Sequence, residues 1–323
     1  MAAYIVRRLI WVIFLLFVVT LVTFIVFTVL PAADPAVLRA GRQPSPELVA
    51  SIRKQFGLSD PAPVQFIRYI GDILPFVGGD GINFGYSYQS NQAVLPQILN
   101  RMPPTIFLTG GAVIIWLAIG IPIGMISAVK TGSWLDRVSM GIALIFISAP
   151  VFFFGLVALF LFDDSIGRFP LLPGSGAYQD ATTIPGKAEA LIMPWFVLAA
   201  SFAAIYARFL RGNLIDTLQE DYIRTARAKG LSERRVIFRH GVRSAITPIV
   251  TLLGLDIGIL LGGAILTETV FNIQGIGRYA YEAIVRFDLP QIQGTVLFGA
   301  FFIVIMSLVV DILYAFIDPR VRY

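Results

Sequence analysis

The sequence predicts an all-α, polytopic membrane protein with six transmembrane helices, a basic cytoplasmic loop and an external loop domain. Three observations point there. Of 323 residues, 57% are hydrophobic and 14% charged, whereas a soluble domain is nearer half apolar and a quarter charged. Apolar runs long enough, or nearly so, to cross ~30 Å of hydrocarbon as helices recur along the chain. The Lys and Arg residues gather in alternate gaps between those runs, the pattern of a positive-inside bias.

The first run, residues 9–30, follows Arg7 and Arg8 and carries no charge. It reads as an uncleaved first span, because a signal peptide has a shorter apolar core and a small-residue cleavage site. PAADPA at 31–36 keeps a cleaved signal as the alternative. Five further runs cover roughly residues 105–129, 138–162, 190–207, 245–266 and 294–317, the fourth being the shortest. Between runs one and two lies a long segment with two short predicted helices. Ser45-Pro46-Glu47 is a helix start, with Ser as cap and Pro in the first turn. Leu48, Ile52 and Phe56 recur every four residues, and Gly57 ends that helix. Pro63 opens a second run, VQFIRYIGDIL. GGDGINFGYSYQS is turn-rich, and a second loop, 163–189, is rich in Gly and Pro. The chain therefore divides into residues 1–30, an N-terminal segment and first span; 31–101, an external loop domain; and 102–323, a five-helix core containing a basic loop at 211–243.

Four basic groups set the orientation: Arg7 and Arg8, Lys130 and Arg137, nine Lys or Arg between Arg208 and Arg243, and Arg320 and Arg322. With six spans all four share one side, which places both termini in the cytoplasm of a multi-pass plasma (inner) membrane protein. An odd number of spans breaks the agreement.

Other chemistries are excluded or lack their parts. With no cysteine and one histidine, His240, the chain has no disulfide, no thiolate nucleophile and no multi-histidine metal site. A phosphate-cradling loop needs Gly-x4-Gly-Lys-Ser/Thr. The nearest approach, GMISAVKT at 124–131, has Val129 before Lys130 and begins inside a span. No catalytic, metal-binding or cofactor-binding residue is predicted, and His240 reads as a cap or packing residue. An intramembrane enzyme needs converging catalytic groups, of which no convincing set is found. An ion-coupled secondary transporter needs coupling-ion sites near the midplane, for which Asp256 is the one candidate.

The basic loop is patterned as well as charged. Asp221–Lys229 reads as a short helix broken by Gly230, and Ser232 as the cap of a second, with Glu233 in its first turn. Tyr222, Ala226 and Lys229 share a predicted face. Thr225, Ala226 and Ala228 make a low-relief surface for a partner. Three readings stand: a topology loop resting on anionic lipid, a nucleic-acid-binding helix-turn-helix that flanking spans leave little room for, and a knob gripped by a soluble partner. Lipid adsorption does not require the ordered Ala, Gly and Tyr pattern.

Span five carries Gly254, Gly258 and Gly262 at four-residue spacing, a face another helix can approach closely. Asp256 lies about 200° around from Gly254. A bare carboxylate there costs roughly 2.5–3.5 kcal/mol, so it either lines a path and attracts a cationic group or is hydrogen-bonded between helices or subunits. Asp311 in span six reads as pairing with a basic loop residue. Pro122 and Pro150 are candidate bends. Glu268 and Arg278 flank the external end of span five, either closing an outer mouth or fixing the loop.

TARAKG at 225–230 followed by RHGVRSAITP at 239–248 resembles the cytoplasmic loop of ATP-binding-cassette (ABC) importer permeases. More narrowly it resembles the first (B-type) permease subunit of dipeptide and oligopeptide importers. The likeness covers almost the whole chain: YIVRRL at 4–9, GINFGYSY at 81–88, LGLDIGILLGGAILTETVF at 253–271, GIGRYA at 275–280, DLPQIQG at 288–294 and LVVDILYAFIDPRVRY at 308–323. The resemblance implies a type I ABC importer permease fold with a cytoplasmic coupling helix, and alternating-access import of short peptides driven by ATP hydrolysed on other chains. It implies as partners a second related permease, two ATP-binding subunits and an external solute-binding protein, within the lipid bilayer and without nucleic acid. Carried over, the ATPase-coupling positions are Tyr222, Thr225, Ala226, Arg227, Ala228, Lys229 and Gly230. Departures from the pattern are Arg224 and Val242-Arg243 against the broader family, and Gln274, Ser307 and Ala32-Ala33 against the peptide branch. They weaken inference of cargo, and relatives of similar pattern carry nickel chelates or some sugars.

Overall fold

The computed structural model describes residues 2–30, 34–40, 45–55, 57–74 and 82–317, with side chains from Val6 to Leu313. Ala32-Ala33, Phe56, the first glycines of the turn-rich stretch, Arg320 and Arg322 lie outside the described residues. In chain order the helices are α1 (Ala2–Phe24, continued by a π-turn at Ile25–Val29), α2 (Pro35–Ala40), α3 (Pro46–Gln55), α4 (Ala62–Ile73), α5 (Val94–Val129), α6 (Trp134–Ser148), α7 (Val151–Phe162), α8 (Ala177–Asp180), α9 (Ile184–Gln219), α10 (Asp221–Ala228), α11 (Glu233–Arg235, continued by a π-helix at Val236–Val242), α12 (Arg243–Ala245), α13 (Thr247–Leu261), α14 (Ile265–Val270), α15 (Ile276–Val285) and α16 (Leu289–Ile317). Among the described residues pairing in the manner of strands is confined to two isolated bridges, Tyr86 with Ala93 and Asp163 with Leu172. The all-α class stands.

Among the described residues four helical stretches are long and apolar enough to cross a membrane: Val6–Val29, Val94–Val129, Ile184–Gln219 and Leu289–Leu313. Two bent pairs bring the number to six if each is one span: α6 with α7, bent by 100°, and Glu233–Ala245 with Thr247–Leu261, bent by 46°. The sharper bend has a local cause. Pro150 disfavours the helical conformation of the residue before it, and Ala149 is extended at ψ 141°. Pro122, the other candidate bend, sits in an unbroken α5.

Three predicted boundaries need correction. The second helix starts at Val94 rather than near residue 105 and runs through Pro103 and Pro104, so tertiary context overrides the two breakers. The shortest predicted run, 190–207, is the middle of a 36-residue helix. Polar residues before and after it hide its length from a hydropathy reading. The fifth run does not continue to 266: α13 stops at Leu261, and Gly263 at φ 130° turns the chain where an L side chain is strained.

Two compact units divide the chain. The first holds residues 1–105, 258–265 and 274–308. Within it Phe24 at the end of α1 packs on Phe66 and Tyr69 of α4, with ring centroids 5.1 and 5.6 Å apart. Ser45 caps α3 as predicted, its Oγ accepting from the Leu48 N–H at 3.2 Å. Val94, Ile98, Ile276, Tyr279 and Phe298 form a buried cluster. The glycine face is used: a Cβ on Gly258 would stand 2.9 Å from the Ile303 Cα, and one on Gly262 3.0 Å from the Gly299 Cα, so two backbones touch where side chains are absent. Asp288, fully buried, accepts from the Ser87 hydroxyl at 2.5 Å and from the N–H groups of Tyr88 and Gln89 at 3.2 and 3.3 Å. This pins residues 87–89 to the start of α16.

The second unit holds residues 106–257, 266–273 and 309–323. Its centre is α9, whose buried residues include Leu191, Tyr206, Leu210 and Leu214. α5 lies against it through two glycines: a Cβ on Gly120 would be 2.8 Å from the Ala203 carbonyl oxygen, and on Gly124 2.6 Å from that of Ala207. Gly124, the start of the nearest phosphate-loop-like string, thus serves close helix packing. Trp195 fills the space over Gly111 and donates its Nε1–H to the Phe107 carbonyl at 2.9 Å. Trp116 stacks on Phe202 at 4.6 Å.

Candidate functional site: a helix–glycine–helix knob

The basic loop folds into a knob set directly on the end of α9. Glu220, extended at φ −65° and ψ 149°, is the single residue separating α9 from α10. α10 ends as its sequence asks. Gly230 takes φ 74°, its N–H reaches the Arg227 carbonyl at 2.9 Å, and the Leu231 N–H reaches that of Ala226 at 3.4 Å. This is a Schellman termination, with Leu231 packing back on the helix as that motif favours.

The knob has its own small core. Ile223 and Val236 are fully buried and Ala226 is 7% exposed, with Leu218 and Leu231 packed around them. Burying Ile223 alone contributes about 1.5–3 kcal/mol. Gly241 lets the returning arm lie on α9, since a Cβ there would meet Leu214 and Leu218 at 3.1 Å. Arg227 braces the two arms: its Nη2 and Nε donate to Glu233 at 2.7 and 3.1 Å. The pair is exposed, so it orients more than it stabilises.

The predicted coupling positions are thereby placed. Tyr222, Thr225, Arg227, Ala228, Lys229 and Gly230 are exposed, and nothing lies near the position of a Cβ on Gly230. Ala226 is the exception: it faces inward with Ile223, three residues before it, so it does not share an outward face with Tyr222 and Lys229. Ser232 precedes the second short helix, but its side chain makes no capping bond there. Arg224 reaches Asp221 at 3.4 Å on the open side of α10.

Asp256, on α13, accepts a hydrogen bond from the Tyr206 hydroxyl of α9 at 2.7 Å. That is the interhelical geometry of one of its two sequence readings. Glu268 is fully buried and Arg278 donates to Glu282 at 3.0 Å. A further cluster, which no sequence motif announces, gathers around Arg211 of α9, two turns before the knob. Asp136, in the first turn of α6, is 4% exposed. It accepts from Arg211 Nε at 2.6 Å and Nη2 at 2.9 Å, from the Gly132 N–H at 2.8 Å, and from the Ser127 hydroxyl. Ser133 caps α6 at the Asp136 N–H, 3.3 Å away. The spacing Ser133-x-x-Asp136 ahead of an apolar run signals that cap, not the pairing with Arg211.

Comparisons with known proteins place the chain in a family. Residues 120–323 match the family described as "Binding-protein-dependent transport system inner membrane component", and residues 1–109 match its N-terminal companion. The chain is 39% identical over 323 residues to the glutathione transport system permease protein GsiC of Salmonella paratyphi A, covering all of both chains. The GsiC of Escherichia coli K12 matches at the same identity and coverage. The dipeptide transport system permease protein DppB of Alkalihalophilus pseudofirmus is 38% identical over 340 aligned positions, again covering all of both chains. Among solved structures, a crystal structure of an amino acid ABC transporter with histidines aligns at TM-score 0.47 and 18% identity, covering 70% of this chain and 95% of that one.

Proposed function

We propose, from the premise that this chain belongs to the family of binding-protein-dependent transport system inner membrane components, that it is the translocating subunit of an ATP-driven importer of short peptides. The chain is a multi-pass ABC transporter permease. The proposal adds cargo, orientation and the working parts.

The observation that carries it is the knob. Six of the seven candidate contact residues face outward on a short helix that is seated by Ile223 and Val236, ended by Gly230 and joined to α9 through one residue. Such a knob transmits a push, because its own core resists collapse and the connection to α9 is too short to absorb displacement. In this reading both termini and the knob are cytoplasmic, two separate ATP-binding subunits grip the knobs of this chain and a related second permease, and an external binding protein delivers the cargo. Nucleotide-driven closure moves the helices only insofar as it prefers one of their two arrangements. Relatives named for glutathione and dipeptide transport support a short-peptide cargo.

Co-purification of the chain with its ATP-binding subunits tests the docking surface. Ala228→Arg and Thr225→Arg, both at exposed positions of α10, should abolish assembly and uptake while leaving the knob core intact; retained assembly and uptake in both removes the assignment. Asp256 enters as a path residue held in place by Tyr206. Asp256→Asn should lower uptake of cationic peptides more than of neutral ones, and equal uptake of both leaves it only the interhelical hydrogen bond.

A further inference from the structure

Asp136 is more heavily engaged than a helix cap requires. Its two carboxylate oxygens accept from the last turns of α5 through Ser127, from the α5–α6 turn through Gly132, and from α9 through both arms of Arg211. A carboxylate this buried is stable only if its lone pairs are satisfied, and a bidentate guanidinium satisfies them with fixed geometry. Arg211 is held in turn, with its side chain 27% exposed. It lies two turns before Gln219, where α9 ends and the knob begins. The same three helices are already drawn together through Gly124 at Ala207, and through Ser201, whose hydroxyl donates to the Phe146 carbonyl of α6 at 3.2 Å.

We infer that Asp136 and Arg211 are positioning residues that weld α9, and so the knob it carries, to α5 and α6. A push on the knob then moves three helices as one body. Without the weld the turns of α9 beyond Ala207 lose their polar tie to α5 and α6, and part of the knob displacement is spent locally. The inference rests on the proposed coupling role for its functional consequence, but the weld itself is a property of this chain alone.

The experiment separates the two. The native chain has no cysteine, so spin labels attached before assembly at Lys130→Cys, in the α5–α6 turn, and Gln219→Cys, at the end of α9, report one distance with no background from this chain. Both sites are exposed. In the complex with its ATP-binding subunits the native pair should give one narrow distance distribution; Asp136→Asn and Arg211→Lys should broaden it. Reconstituted in vesicles with radiolabelled glutathione and alanyl-alanine as probes, both variants should still bind the ATP-binding subunits and hydrolyse ATP. Solute moved per ATP should fall roughly tenfold in Asp136→Asn, a coupling loss of ordinary size, and less in Arg211→Lys, which keeps the charge but not the fork. Hydrolysis and uptake falling in proportion, or an unchanged distance distribution in both variants, overturns the inference. Should Asp136→Asn fail to assemble, Arg211→Lys decides alone. Should the native complex move neither probe, the peptide reading fails while the label distances still decide the weld.

Discussion

Asp136 and Asp288 are both buried carboxylates at the start of a helix, and both tie a preceding segment to it, yet they are answered differently. Asp136 meets a guanidinium and joins three helices. Asp288 meets a hydroxyl and two backbone N–H groups and holds a loop. The first cannot be undone without separating two opposite charges. The second opens into amides that water serves almost as well. An ion pair between helices specifies a rigid arrangement; a carboxylate over loop amides specifies a local conformation that is free to be remade.

The comparison is broken most directly at Asp136. Asp136→Ala leaves the half-buried Arg211 without its partner and should cost about 2–3 kcal/mol, read as a fall in the thermal unfolding temperature of the detergent-purified protein. A cost no greater than that of Asp288→Ala erases the distinction. Next is Gly124→Leu, whose side chain enters where the Ala207 carbonyl stands 2.6 Å from a Cβ position. Wedging α5 from α9 should cost about 1–3 kcal/mol and broaden the same spin-label distance as Asp136→Asn. Asp288→Ala should cost about 1–2 kcal/mol, and its signature is spatial: faster amide exchange confined to residues 87–93.

The smallest effect sharpens the role of charge. Asp34 pairs with Arg53, whose guanidinium holds the Asp34 carboxyl below the usual carboxylate range. The folded value therefore lies below the unfolded one. The pair's contribution is fully present above about pH 4 and is lost as pH falls through the lowered value. With both side chains partly exposed it is at most about 1 kcal/mol. Arg53→Gln should flatten that part of the stability–pH curve, and an unaltered curve shows that the pair adds nothing.

What the sequence made legible follows from the range of the forces involved. The knob was readable because Gly230 ends α10 through backbone bonds to Ala226 and Arg227 just before it, although the cap expected of Ser232 is not made. The Schellman ending at Gly230 and the cap at Ser45 are local backbone chemistry. The inward turn of Ala226 was not readable, since it depends on Val236 arriving from the returning arm. The Asp136–Arg211 pair spans 75 positions, and nothing in either neighbourhood announces the other. Likewise Tyr206 and Asp256 are 50 residues apart, and only packing decides that they meet. Hydropathy found the apolar middle of α9 but not its length, because polar turns extend a helix without extending an apolar run. The close glycine face of span five was found because four-residue spacing is itself a helical property.

The length of α9 has one more consequence. At ~1.5 Å per residue, its 36 residues make a rod of about 54 Å, against ~30 Å of hydrocarbon. Shared equally by an untilted helix, the surplus carries each end about 12 Å past the acyl chains, and so about 5–7 Å past the head groups of a bilayer ~40–45 Å thick in all, within the ~8 Å over which salt water lets a head-group charge be felt. Where that end carries the knob, its arginines are lifted past the head groups but stay within reach of their field, a handle held at the border between membrane surface and open solution.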